Sequence, residues 1–166
     1  MARLVDYTFH LQPDTGDSSL VGRSDVVNGA AECEYPALNP AFQPGRRRRY
    51  CWTNACGGTT TTGGGGWLGG IQKVDMEGGT ASRVVTFGEG CYAGAPAFMP
   101  PHGGRGAGED EGFIVATVYR SFDHVSDVVV LDARTLDTLC RMELEDHVPY
   151  QFHSDFVAEV TIGLGD

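Results

Sequence analysis

"EGFIVATVYRSFDHVSDVVVLDARTLDTLCRMELE", residues 111–145, alternates apolar and polar side chains in short runs broken by turn residues. Period-two alternation is the signature of strands with one buried face. Strands are therefore expected over Phe113–Phe122, Asp127–Leu131 and Leu139–Leu144. "DHVS" supplies the first turn. In the second, "DARTLD", an aspartate side chain can bond the backbone just ahead of it. The three strands read as an antiparallel meander.

Working outward, the same grammar recurs. Further strands are expected over Leu4–Leu11, Arg49–Thr53, Leu68–Val74 and Arg83–Phe87, while helical periodicity is nearly absent and glycine is abundant, at 24 residues. "YTFHLQPDTG", "IQKVDMEGG" and "VVVLDARTLD" each run a strand into an aspartate turn, and Asp14, Asp75 and Asp132 stand 61 and 57 residues apart. Residues 57–66, "GGTTTTGGGG", are low in complexity, cannot build a core and read as a flexible insertion in a hairpin. Allowing for it, the intervals suit blade units of roughly 40 to 50 residues. The expectation is an all-β chain, a partial β-propeller of about three antiparallel blades. A sandwich of hairpins would show similar alternation. An open arc of blades leaves apolar lateral faces in water, so self-association is expected.

Composition narrows the function. The 166 residues carry 20% charged and 41% apolar side chains, enough for one domain with a real core. A formal charge of −10 argues against nucleic acid, whose phosphates need clustered cations. The basic run Arg46–Arg49 reads as a solvated turn leading into a strand. The five cysteines, Cys33, Cys51, Cys56, Cys91 and Cys140, contain no CxxC pair, so neither a zinc ribbon nor a disulfide framework is suggested. Reduced thiols and no visible signal peptide or membrane span predict an intracellular setting, cytoplasm or plastid. "GEDEG" (Glu109, Asp110, Glu111) has too few oxygens for a calcium site and is expected to be solvated. "GGGGWLGG" lacks the lysine and the helix of a phosphate loop. His10, His102, His124 and His147 are expected to be structural or solvent-facing. His153, in "HVPYQFHSDF", is by itself either a core histidine or a metal ligand.

Three segments resolve that choice by resemblance. "ECEYPALNP" with "GRRRRYCW", "GAPAFMPPHGGRGAGEDEGFIVATVY", and "SDVVVLDARTLDTLCRMELEDHVPYQFHSDF" occur in this order across Tyr7–Phe156. Together they resemble the carotenoid cleavage oxygenases. That resemblance implies the C-terminal third of a seven-bladed propeller that holds Fe²⁺ on its axis through four histidines, which three glutamates orient. His153 matches the last ligand and Glu34 one of the orienting glutamates, so His153 is expected on the inner rim with Glu34 on the same side. The implied reaction inserts O₂ across a conjugated C=C bond of a carotenoid, apocarotenoid or stilbene, iron activating O₂ or the apolar polyene. Neutral imidazole is a suitable iron ligand, and its other nitrogen needs a partner that fixes the tautomer. Two positions depart from the pattern: Ala95 stands where the family has a glutamate, and Ser154 where glycine follows the histidine. A competing reading is a blade module that binds proteins without catalysis. Iron content separates the two. The isolated chain is expected to be inactive.

Overall fold

The computed structural model describes residues 4–25, 32–42, 48–56, 68–81, 84–102, 108–150 and 152–157. Among them every regular element is a strand: β1 (Val5–Leu11), β2 (Ser18–Asp25), β3 (Cys33–Ala37), β4 (Tyr50–Cys56), β5 (Leu68–Asp75), β6 (Thr80–Ala81), β7 (Val85–Thr86), β8 (Cys91–Ala93), β9 (Ala97–Met99), β10 (Phe113–Arg120), β11 (Val125–Asp132) and β12 (Thr138–Glu143). They form a hairpin, β1–β2, and two antiparallel sheets ordered β3-β4-β5-β6 and β12-β11-β10-β8, with β7 beside β5 and β9 beside β10. Each larger sheet is a four-strand meander with one strand split in two, which is how a propeller blade is built. The described residues thus form two such blades and a hairpin.

The opening stretch forms three consecutive strands, β10, β11 and β12, as its alternation requires. Ile114, Ala116 and Val118 point inward from β10, and Val129 and Leu131 from β11, whereas β12 is exposed throughout. The aspartate turns are real. Asp132 Oδ1 accepts the backbone N–H groups of Arg134 and Thr135, and Asp75 Oδ1 those of Glu77 and Gly78. Asp14 lies in the turn between β1 and β2. Asp127, fully buried at the start of β11, faces Arg120 of β10 and Arg141 of β12, so a charge with no water contact is compensated from both neighbouring strands.

The two sheets share one core. Trp52 and Ile71 pack with Phe98, Ile114, Val118, Leu131 and Leu136. The Trp52 ring lies 4.9 Å from Phe98, and its Nε1 donates to Ala133 O at 2.9 Å. All five cysteines are free, and burial pushes the Cys51 thiol up to about 12. The low-complexity insertion lies outside the described residues. The strands on either side of it pair antiparallel up to Cys56 and Leu68. His10, His102, His124 and His147 are all exposed. Among the described residues no helix is long and apolar enough to cross a membrane.

One expectation needs correction. The acidic turn is not simply solvated; it joins the blades. Glu109 accepts the backbone N–H groups of Arg49 and Tyr50 at the start of β4. Asp110 pairs with Lys73 Nζ at 2.7 Å, and Glu111 with Arg134 at 2.8 Å. Lys73 is nearly buried and needs a counter-charge, while Glu109 meets backbone donors at the start of a strand; both outweigh hydration of the carboxylates. The basic run is likewise anchored where it is described, since Arg49 grips Asp75 at 2.8 Å.

A pH dependence follows from these pairs. Hydrogen bonds from Arg49 hold the Asp75 carboxyl below its ordinary 3.8, at about 2, against the opposing effect of burial. At Asp110 burial pushes upward, but the bond and charge of Lys73 and the charge of Arg134 outweigh it, and its pKa is lowered too. Carboxyls depressed in the folded state add stability that is present above their unfolded pKa and lost as pH falls through the folded one. Acid titration should therefore erode stability between about pH 4 and pH 2. Asp75→Asn should be less stable near neutrality and flatter across that window, as read by chemical denaturation at each pH. An unchanged slope in the variant would remove Asp75 from the account.

Candidate metal centre

β3 carries the first candidate residue. Its register against β4 slips between Glu34 and Ala37: Glu34 faces Asn54 and Ala37 faces Trp52, so β3 holds one extra residue. That bulge is absorbed by Tyr35, whose φ of 54° is left-handed. The region is costly for a bulky residue, and a residue before proline ordinarily stays extended. Strain of this kind persists where the surroundings enforce it. Its consequence is local: Cys33 points inward, Glu34 stays exposed, and the Tyr35 ring turns toward the C-terminal segment.

That segment, residues 147–150 and 152–157, follows β12 without regular structure. Phe152 and His153 meet the Tyr35 ring edge-on, with centroids 6.2 and 5.7 Å away. Partial burial, then the charge and hydrogen bond of Glu34, raise the Tyr35 phenol above its usual value. Tyr35 thus meets His153 through its ring, while Glu34, its neighbour in the chain, acts on its phenol by charge. The His153 imidazole is itself exposed.

A second tether holds the segment. Tyr150 Oη donates to Ala93 O at 3.0 Å, and partial burial, followed by the charges of Tyr35, Cys56 and Glu34, pushes its phenol up to about 12. The same carbonyl accepts Asn54 Nδ2 at 2.7 Å, and Gly94 O accepts it at 2.9 Å. Asn54 is fully buried, and among the described residues its Oδ1 has no hydrogen-bond partner. Ala95 follows at once, buried in the break between β8 and β9. The position where the resemblance expects a glutamate therefore holds a methyl group, close to an amide with a spare acceptor. Sequence reasoning did not single out Tyr35, Tyr150 or Asn54. The only available signal was Tyr35 standing between Glu34 and Pro36.

At this site the described residues supply one imidazole, His153, which meets Tyr35, the chain neighbour of Glu34. No group of three or more His, Cys, Asp or Glu able to hold an ion occurs among them. The described residues do not by themselves make a complete iron site. Structure brings Glu34 and His153 to a shared neighbour, while the other histidines lie elsewhere.

Comparison with known proteins gives this geometry its context. The family model described as "Retinal pigment epithelial membrane protein" matches residues 1–158. Apocarotenoid-15,15'-oxygenase of Synechocystis sp. is 35% identical over 126 residues, covering 75% of this chain and 24% of that protein. The chloroplastic 9-cis-epoxycarotenoid dioxygenase NCED1 of Oryza sativa is 32% identical over 139 residues, covering 80% and 21%. The crystal structure of the cobalt-substituted Synechocystis apocarotenoid oxygenase superposes with a TM-score of 0.69 at 30% identity, covering 89% of this chain and 29% of the other. The chain spans about a quarter of the length of the curated relatives it matches. On its fold and on this match, the chain belongs to the carotenoid cleavage oxygenase family, the family of the retinal pigment epithelial membrane protein.

Proposed function

We propose that this chain is the C-terminal part of a propeller-domain oxygenase that oxidatively cleaves a conjugated C=C bond of an apolar polyene, a carotenoid or apocarotenoid. Within it, His153 serves as one ligand of a ferrous iron, and Glu34 orients the ligand set. The observation that carries this reading is the strained Tyr35, which follows Glu34 in β3 and meets the His153 ring edge-on. Phe152 and Phe156, near His153 in the chain and both exposed, offer apolar surface of the kind a polyene would require.

Plant relatives such as NCED1 are chloroplastic, which supports an intracellular, cytoplasmic or plastid setting. The exposed Tyr7, Phe9, Leu11 and Leu20 of the β1–β2 hairpin supply apolar surface for self-association or for further blades.

A full-length protein containing this chain tests the proposal. Its coding sequence should hold three further histidines upstream, and the purified protein should contain iron. His153→Ala should lower both iron content and aldehyde yield by at least roughly tenfold, the size of effect seen when a metal-site residue is lost. A protein without iron would instead favour a non-catalytic binding module, for which the absent carboxylate at Ala95 is the supporting observation.

A further inference from the structure

At one end of the second blade, the β10–β11 turn and the exit from β12 bring His124 and His147 together, with ring centroids 4.3 Å apart. Both side chains are exposed. Their backbones are fixed. His124 N donates to Arg120 O at 3.0 Å, while Leu144 N and Val148 N, on either side of His147, bond Ser126 O and Oγ. His124 also holds a left-handed φ of 57° in its turn.

Each ring has one nitrogen already engaged. His124 Nδ1 lies 2.8 Å from the Tyr119 hydroxyl, and His147 Nδ1 lies 3.1 Å from Asp146 Oδ1. In the tautomers with the proton on Nδ1, both rings donate to these oxygens and both Nε2 lone pairs are free. Metal-bound histidines are oriented in this way: the second nitrogen gives its proton to a carboxylate or another oxygen, which makes the ligating nitrogen more basic. Tyr119 lies edge-on to both imidazoles, at 5.8 and 6.5 Å.

We infer that His124 and His147 form a surface site for a borderline divalent cation such as Zn²⁺ or Cu²⁺, separate from His153. Tetrahedral zinc, about 2.0–2.1 Å from each imidazole nitrogen, sets the two nitrogens roughly 3.3 Å apart. With each ring centre about 1.1 Å beyond its nitrogen, two rings on such an ion stand roughly 5 Å apart, so the exposed rings, now 4.3 Å apart, swing outward to seat it. No third imidazole, thiol or carboxylate among the described residues completes a cluster, so water fills the remaining positions. Imidazole pairs rank Cu²⁺ and Zn²⁺ well above Fe²⁺.

The test is titration of the purified chain with Zn²⁺ alone, followed by calorimetry, with Cu²⁺ and its electron paramagnetic resonance spectrum as a second probe. One equivalent of Zn²⁺ should bind and be lost in both His124→Ala and His147→Ala, but kept in His153→Ala. Asp146→Asn should weaken binding roughly tenfold or more without altering the fold. The Cu²⁺ spectrum should show coupling to two nitrogens. Binding that survives both His124→Ala and His147→Ala, or disappears only in His153→Ala, overturns the assignment. So does the absence of binding in the unaltered chain.

Discussion

Incubated with Fe²⁺ under anaerobic conditions and then desalted, the isolated chain should keep no stoichiometric iron. It should also yield no aldehydes from β-carotene or apocarotenoid mixtures. Affinity for a metal comes from several ligands held ready by the groups behind them. Here the described residues present one imidazole at the candidate centre, and no cluster of three or more donors. The carboxylate that the family resemblance places before the proline is replaced by the buried Ala95. Loss of such a supporting group costs about 10- to 100-fold even in a complete site. The His124–His147 pair does not rescue the result, because iron stands low in the affinity order for nitrogen sites. Metal analysis and chromatography give the answer. Bound iron, or aldehydes, that vanish in His153→Ala would show that the chain is a complete enzyme. Iron that vanishes instead in His124→Ala would locate it at the surface pair.

Trp52→Ala should be the most damaging single substitution in the fold, lowering stability by about 3–5 kcal/mol, as large-to-small changes of buried aromatics do. Trp52 has no solvent exposure, packs 4.9 Å from Phe98 and donates to Ala133 O, so its loss opens a void and strands a carbonyl. Set against a total stability of about 5–15 kcal/mol, that leaves little margin. Trp52→Phe refills much of the volume but still orphans the carbonyl, and should cost about 1–3 kcal/mol. Urea unfolding of the three proteins measures both. A loss below about 1 kcal/mol for the alanine variant would show that the two blades do not depend on this contact.

The meander of β10, β11 and β12 was legible because Ile114, Ala116 and Val118 must alternate to reach a core, and because Asp132 bonds the turn that follows it. β2 was not. "SSLVGRSD" is exposed on nearly every side chain, so no buried face imposed a period on it. β8 and β9, within "CYAGAPAFM", are buried but made largely of small residues, and Gly94 to Pro96 break the strand between them. A two-sided burial of short pieces leaves no alternation to read. β3 was hidden by its bulge at Tyr35.

At the candidate centre, Glu34 and His153 were visible only through the family's segment order, since one histidine and one glutamate have no spacing rule of their own. Tyr35 acts through a backbone angle, and Tyr150 through a main-chain acceptor far off in sequence. Beyond the proline that follows Tyr35, neither leaves a local mark. The acidic turn misled for a related reason: its counter-charges, Lys73 and Arg134, are distant in the chain, and Arg134 looked like an ordinary turn residue.

The carbonyl of Ala93 ties the His153 segment and the strand β4 to the same oxygen. A main-chain acceptor needs no particular side chain, so this junction survives the missing carboxylate at 95; what constrains 93 and 94 is space, since Ala93 is fully buried and a Cβ at Gly94 would meet Thr117 Oγ1 at 2.7 Å. The donors are the other half of the junction: loss of the Tyr150 hydroxyl or of the Asn54 amide loosens the segment without touching the histidine at all.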